Sequence, residues 1–162
     1  LVLVPRHPDR FDSVSALTGS RGFSQVRRSS GEPVGAAQVY LGDTMGELMV
    51  MFGAADVAFV GGSLIERGGH NPLEPAAWGM PVVTGPHVFN FETVYRQLET
   101  GQGLVRVGGE ADLAAQVSGL LADGERAATL GQAALGVVNA NRGALDRVVG
   151  GILDRLDRES AR

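Results

Sequence analysis

The sequence predicts an α/β fold, a Rossmann-like parallel sheet with helices on both faces and a helical C-terminus. Three observations predict it. Six short apolar runs read as strands, and segments of helical spacing separate most of them. Glycine-rich turns follow several of these runs, where a strand must hand over to a helix. The last third of the chain has only helical spacing. Strands that alternate with helices in this way build a parallel sheet covered on both sides.

Leu1 to Val4 reads as the first strand, closed by Pro5-Arg6-His7-Pro8. Arg10 to Thr18 is a helix with Phe11, Val14 and Leu17 on one face, ended by Gly19 and Gly22. Phe23 to Arg28 is the second strand and Ser29 to Gly35 a loop. Ala37 to Leu41 is the third strand, and a helix runs from Met45 to Phe52, with Thr44 and Glu47 at capping-box spacing. Asp56 to Val60 is the fourth strand. A helix from Pro72 to Trp78 stops at Gly79, Pro81 to Thr84 is the fifth strand, Phe91 to Glu99 a helix and Gly103 to Val107 the sixth strand. Helical spacing then links Leu113, Val117, Leu120 and Leu121, and again Leu130, Ala134, Val137 and Val138. After a break at Asn139 to Gly143, a last helix places Leu145, Val148, Val149, Ile152, Leu153 and Leu156 on one face, and Arg158 to Arg162 is a tail.

With 162 residues, 44% of them apolar, the chain has the length and composition of one globular domain, 1–162. The net charge is −4 and no basic block occurs, which argues against nucleic acid as a partner. All fourteen basic residues are arginine. Cysteine is absent, which excludes a disulfide framework, a thiolate metal site and a cysteine nucleophile. No apolar run approaches transmembrane length. Leu1-Val2-Leu3-Val4 reads as an interior strand with nothing before it, so the expectation is a fragment of a longer protein, truncated at its N-terminal side.

The most informative stretch runs from Phe59 to Pro75. Gly61 and Gly62 permit a sharp turn or close approach to a ligand, and Gly68 and Gly69 make a second permissive point. Asn71 reads as an N-cap and Pro72 as the first helical residue, so the loop aims free N–H groups and a positive helix end at one place suited to phosphate. Glu74 is one turn in. It either accepts from sugar hydroxyls or ties back to the cap N–H of Asn71, with which it has capping-box spacing. In parallel sheets ligands bind beyond the carboxyl ends of the strands. The three histidines, His7, His70 and His87, each follow a predicted strand at that edge.

Arg6 and His7 put a guanidinium and an imidazole on the first exit loop, and a guanidinium can bind two phosphate oxygens at once. The turn Gly42, Asp43, Thr44, Met45, Gly46, Glu47 is either a capped helix start or a loop whose main chain reads a base. Gly61, Gly62 and Ser63 are candidates for the part of the loop nearest a sugar donor, and His70 for a donor to an anionic group. His87 and Asn90 are candidates to face the cleft, Phe89 and Phe91 read as packing rather than a stacking platform, and the basic spot Arg27-Arg28-Ser29-Ser30 has no assigned role. No HExxH and no aspartate pair supports a metal site.

The run GGHNPLEP at 68–75, with GDTMGEL at 42–48 and GPHVFNF at 85–91, resembles the donor-site region of 3-deoxy-D-manno-octulosonic acid (Kdo) transferases, which are GT-B glycosyltransferases. The resemblance extends from VPRHP at 4–8 to NRGALDR at 141–147 and is to the C-terminal half of that family. It implies a donor-binding domain for CMP-Kdo, with lipid A precursor as acceptor of the full enzyme. It implies that Arg6 and His7 face the nucleotide, that Gly42 to Glu47 contact it mainly through the main chain, and that Asn71 and Glu74 occupy nucleotide-site positions, Glu74 on the ribose. It implies no cofactor and no metal, no catalytic residue in this part, a general base and acceptor-binding domain in the N-terminal half, and attachment to the cytoplasmic face of the bacterial inner membrane through that half. The alternatives are a GT-B enzyme with a UDP-sugar donor, a sugar-nucleotide epimerase, or a non-catalytic nucleotide-binding module.

Overall fold

A computed structural model describes residues 1–143, 148–153 and 155. The expected α/β class is present, with every strand pairing parallel and helices on both faces. The chain divides into two compact units, Leu1–Ala55 and Asp56–Arg162, each with its own three-stranded sheet.

The first unit holds β1 (Val2–Leu3), α1 (Phe11–Ser20), β2 (Gln25–Arg27), β3 (Val39–Leu41) and α2 (Leu48–Gly53). Its strand order is β1-β3-β2, so β3 is central, and Val39 and Leu41 are buried. The face of α1 differs from the expected one. Leu17 points outward and is exposed, whereas Thr18 is buried. The Thr18 hydroxyl donates to the Val14 carbonyl one turn back, which satisfies it without water and lets a polar residue take the inward position. Phe23, expected in β2, is also exposed, and the strand begins two residues later.

Helix α2 starts at Leu48 rather than Met45. Gly46 has φ +83°, a left-handed conformation that a helix cannot include. The residues before Leu48 are therefore a turn, and they belong to the candidate site.

The second unit holds β4 (Ala58–Val60), α3 (Leu73–Ala77), β5 (Val82–Thr84), α4 (Glu92–Thr100), β6 (Leu104–Arg106), α5 (Glu110–Ala122) and α6 (Gly124–Asn141). Its order is β4-β5-β6. Strand β5 is buried on both sides, as a central parallel strand must be. Val82 packs with Val60, Ala76, Tyr95, Leu98 and Ala134, and the next residue, Val83, packs with Val107 and Leu120. Alternation along one strand thus supplies two cores. Helix α6 serves both, through Leu130 on one and Ala134 and Val137 on the other.

Among the last residues, Val148, Val149, Ile152 and Leu153 are exposed, while Leu145 and Leu156 of the same expected face lie outside the described residues, as does the tail Arg158 to Arg162. Among the described residues no helix is long and apolar enough to cross a membrane.

Gly131 marks the tightest approach of α6. A Cβ there would overlap the carbonyl of Gly79, in the turn after α3. Gly136, five residues on in α6, has open space around it. We predict that Gly131→Ala lowers stability by about 1–3 kcal/mol, an overpacking cost, whereas Gly136→Ala raises it by about 0.5–1 kcal/mol through helix propensity. Urea unfolding of both variants checks the pair.

Candidate functional site

Within the first unit, the loops that leave β1, β2 and β3 lie at the carboxyl edge of one parallel sheet. Gly42 sits beside the first exit loop, since its N–H donates to the Leu3 carbonyl at 2.9 Å. Arg6 and His7 are both exposed past β1. His7 precedes a short 3-10 turn, Pro8–Arg10, and its carbonyl accepts from the Arg10 N–H. Arg6 takes part in none of the ion pairs among the described residues.

The turn from Gly42 to Glu47 is fastened by side chains. Asp43 is buried, and its carboxylate accepts from Arg27 Nε at 2.6 Å, the Ser29 N–H at 2.8 Å and the Ser29 hydroxyl at 2.6 Å. Arg27 reaches on to Asp12 at 2.7 Å. Glu47 accepts from Arg28 at 2.8 Å and from the Thr44 hydroxyl. The capping box expected of Thr44 and Glu47 is thereby corrected. The Glu47 carboxylate pairs with a hydroxyl and a guanidinium, not with the Thr44 N–H, because the left-handed Gly46 separates this turn from α2. The side chains of Asp43, Thr44 and Glu47 are committed inside the turn, and Met45 and Gly46 are exposed at its surface. What the turn offers outward is main chain and the Met45 thioether.

The basic spot at Arg27 to Ser30 therefore acquires a part that its sequence alone did not reveal. The signal was available in its placement. A basic pair at the exit of β2 faces the acidic turn that leaves the neighbouring β3.

Within the second unit, the glycine loop leaves β4, and the segment Gly85 to Phe91 leaves the adjacent β5. Gly62, Gly68 and Gly69 all have positive φ. The Gly69 N–H donates to the Gly62 carbonyl and the His70 N–H to the Gly61 carbonyl, closing the loop on itself. The His70 imidazole lies over Gly62, and its outer side is exposed. Ser63 is fully buried. Its hydroxyl donates to the Val60 carbonyl at 2.6 Å and accepts from the Gly85 N–H at 2.8 Å. Its side chain is a strut between two strand exits rather than a contact at the surface, since a buried hydroxyl must pair internally.

The start of α3 also differs from the expected one. The helix begins at Leu73, and Pro72 holds the cap position. The Asn71 side chain still caps it, accepting from the Leu73 N–H at 3.1 Å. Glu74 does not reach back to the Asn71 N–H. Its carboxylate takes one long hydrogen bond, 3.4 Å, from the Asn71 side-chain amide and is half-buried. With five residues, α3 sums only a small dipole, which weakens the positive helix end that the sequence leads one to expect.

Beyond the glycine loop, Pro86, His87, Phe89, Glu92, Arg96, Glu99 and Arg106 line an open depression of about 320 Å³. Its charges are matched in pairs, Arg96 with Glu92 and Arg106 with Glu99. Asn90 is turned toward the glycine loop. Among the described residues no group of His, Asp and Glu is arranged to hold a metal ion.

Three comparisons bear on this geometry. The family model described as glycosyl transferases group 1 matches residues 28–136. A 3-deoxy-D-manno-octulosonic acid transferase of Haemophilus influenzae is 49% identical over 98% of this chain, and one of Bordetella pertussis is 39% identical over 96%. The chain spans 38% and 37% of those relatives' lengths. The crystal structure of the C-terminal CMP-Kdo binding domain of WaaA from Acinetobacter baumannii superposes with a TM-score of 0.79 at 37% identity, covering 85% of this chain and 72% of that one.

The acidic turn makes a pH prediction. Burial pushes Asp43 upward, but the Ser29 hydroxyl and N–H and Arg27 outweigh it, so its pKa lies below the usual aspartate value. The Thr44 hydroxyl and Arg28 likewise lower Glu47. A lowered folded pKa means that the unfolded chain binds protons first as pH falls. The stabilisation is complete above the unfolded values, about 4, and is lost as pH drops through the folded ones. We expect Arg27→Met to move the Asp43 carboxyl titration to higher pH, followed by carbon NMR, and to bring acid unfolding to higher pH.

Proposed function

We propose, from the premise that this chain belongs to the glycosyl transferases of group 1, that it is the donor-binding part of a Kdo transferase and that its ligand is CMP-Kdo. One observation carries the reading. A fold covering 85% of this chain, not just a motif, is shared with a CMP-Kdo binding domain at 37% identity, well above that of fold likeness alone.

In the first unit the candidate contacts are Arg6, His7 and the main chain of Gly42 to Glu47. In the second they are the main chain of Gly61 to Ser63, the side chains of His70 and Asn71, and Glu74 for the ribose hydroxyls. In the reaction an acceptor hydroxyl attacks the anomeric carbon of Kdo, the bond to the phosphate oxygen breaks, and CMP departs as a phosphate monoester. Arg6 and loop N–H groups are the cationic and dipolar groups suited to that charge, which is where electrostatic stabilisation has most effect. We propose that no metal takes part. The acceptor is lipid A precursor, and the general base, the acceptor site and the attachment to the cytoplasmic face of the inner membrane belong to the remainder of a longer protein.

Calorimetric titration with CMP, UMP and AMP tests the donor. CMP should bind in preference, and EDTA should leave that binding unchanged. A preference for UMP would move the reading to a UDP-sugar enzyme. Glu74→Ala refines it. Its single long hydrogen bond in the structure contributes little to the fold, whereas a carboxylate bonded to sugar hydroxyls is worth about 1.5–3 kcal/mol, so CMP affinity should fall by roughly 10- to 100-fold with the melting temperature nearly unchanged. The chain on its own should transfer no Kdo from CMP-Kdo to lipid A precursor. Transfer, read by mass spectrometry of the lipid, would sink the assignment of the base to another part of the protein.

A further inference from the structure

Four consecutive carbonyls in the glycine loop are held by one short segment that leaves the neighbouring strand. The Asn90 side-chain amide donates to Arg67 O at 2.9 Å and to Gly69 O at 3.3 Å. The Asn90 N–H donates to Gly68 O at 3.0 Å. The Tyr95 hydroxyl donates to His70 O at 2.8 Å. We propose that Asn90 and Tyr95 are positioning residues for the donor-binding loop, a reading that rests on the function proposed above.

The physical case has three parts. A carbonyl oxygen repels phosphate, so a loop that is to meet an anion must turn its carbonyls elsewhere and give them donors there. Asn90 and Tyr95 do this for residues 67 to 70 together. Next, the loop leaves room for the two donors. Gly68 and Gly69 take successive left-handed conformations, φ +81° and +69°. A Cβ on Gly68 would strike the Asn90 amide, and one on Gly69 would press on the Tyr95 hydroxyl. The space beside these glycines is thus filled by the brace instead of being kept for a ligand. Last, the two donors are anchored differently. Tyr95 is fully buried in α4 with its ring in the core beside Val82 and Leu98, so its hydroxyl is aimed by packing. Asn90 sits in an exposed 3-10 turn, Phe89–Phe91, and its amide serves the loop alone.

The chemistry at the loop surface follows from this arrangement. With its carbonyls withdrawn, the loop presents the His70 ring and leads directly into Asn71 and Glu74. A shift of its backbone moves those side chains together. Loss of either donor should therefore weaken nucleotide binding more than it weakens the fold.

The test uses Asn90→Asp, which keeps shape but sets a carboxylate against two carbonyls, and Tyr95→Phe, which removes only the hydroxyl. Leu120→Ala is the control, because Leu120 lies in the core that Tyr95 does not join; Leu64, in the same stretch but outside the braced residues 67 to 70, is its link to the loop. CMP affinity is measured by calorimetry well below each melting midpoint, and the Gly68, Gly69 and His70 amide signals are followed by NMR. We expect about a tenfold or greater loss of CMP affinity in Asn90→Asp and Tyr95→Phe, with displaced loop amide signals, and parental affinity in Leu120→Ala. Folded Asn90→Asp or Tyr95→Phe protein that binds CMP like the parent overturns the proposal, and so does an equal loss in Leu120→Ala, which would trace the effect to general stability. A parent that binds no CMP defeats the donor reading instead. The amide signals then still decide the brace, since unchanged positions for Gly68 to His70 in Asn90→Asp would remove it.

Discussion

The hydroxyl of Ser63 is the point on which the carboxyl edge of the second unit's sheet depends. It is sealed from solvent, so both of its hydrogen bonds must be made within the protein. It makes them to the Val60 carbonyl and the Gly85 N–H, the last residue of β4 and the first after β5. Two neighbouring strands thus end in one shared polar node. The Ser63 carbonyl in turn accepts from the His87 N–H, and a Cβ on Gly85 would overlap that carbonyl. The node fixes where the glycine loop begins and where the segment carrying Asn90 and Tyr95 begins. Every later contact between the two assumes that starting distance.

The first unit solves a similar problem with charge. Its turn after β3 contains Asp43, which is buried and held by a guanidinium, a hydroxyl and an N–H. A buried carboxylate without such partners would be strongly disfavoured, so Arg27 and Ser29 are required once Asp43 is placed inside. The consequence is shared by both units. Side chains of the motif are consumed in shaping the loops, and main-chain groups with a few outward side chains are left for a ligand.

That division explains what could be read from residues alone. The parallel α/β class, the six strands and the helix order follow from periodicity, and their approximate positions were legible. Boundaries were less so where a local interaction overrode the pattern. The left-handed Gly46 delayed α2, and in α1 the inward position belongs to Thr18, its hydroxyl satisfied by Val14, rather than to Leu17. The loops that carry the candidate site were also legible, because glycine, histidine and proline mark them. The direction of each side chain was not. Asp43 and Ser63 are polar residues in ligand-like positions, and nothing in their spacing says that they point inward. Arg27, Arg28 and Tyr95 could not be connected to those loops without strand pairing, since the partners are 16, 19 and 25 positions apart in the chain.

The contrast between Ser63 and Glu74 shows how to separate scaffold from candidate contact at such an edge. The Ser63 hydroxyl both donates and accepts within the protein and is sealed from solvent, so a ligand would have to open the strut to reach it. Glu74 is half-buried, carries a charge, and has one long hydrogen bond from the Asn71 amide for a group that accepts several. A carboxylate in that condition is under-satisfied by the protein, and solvent or a hydroxylated ligand must supply the rest. The neighbouring Asn71 is intermediate, with its oxygen used on the Leu73 N–H and its amide turned to Glu74. Its part is then to orient the carboxylate as well as to cap α3. The loop and its brace thus lead into a half-buried carboxylate with acceptor capacity that the protein does not use.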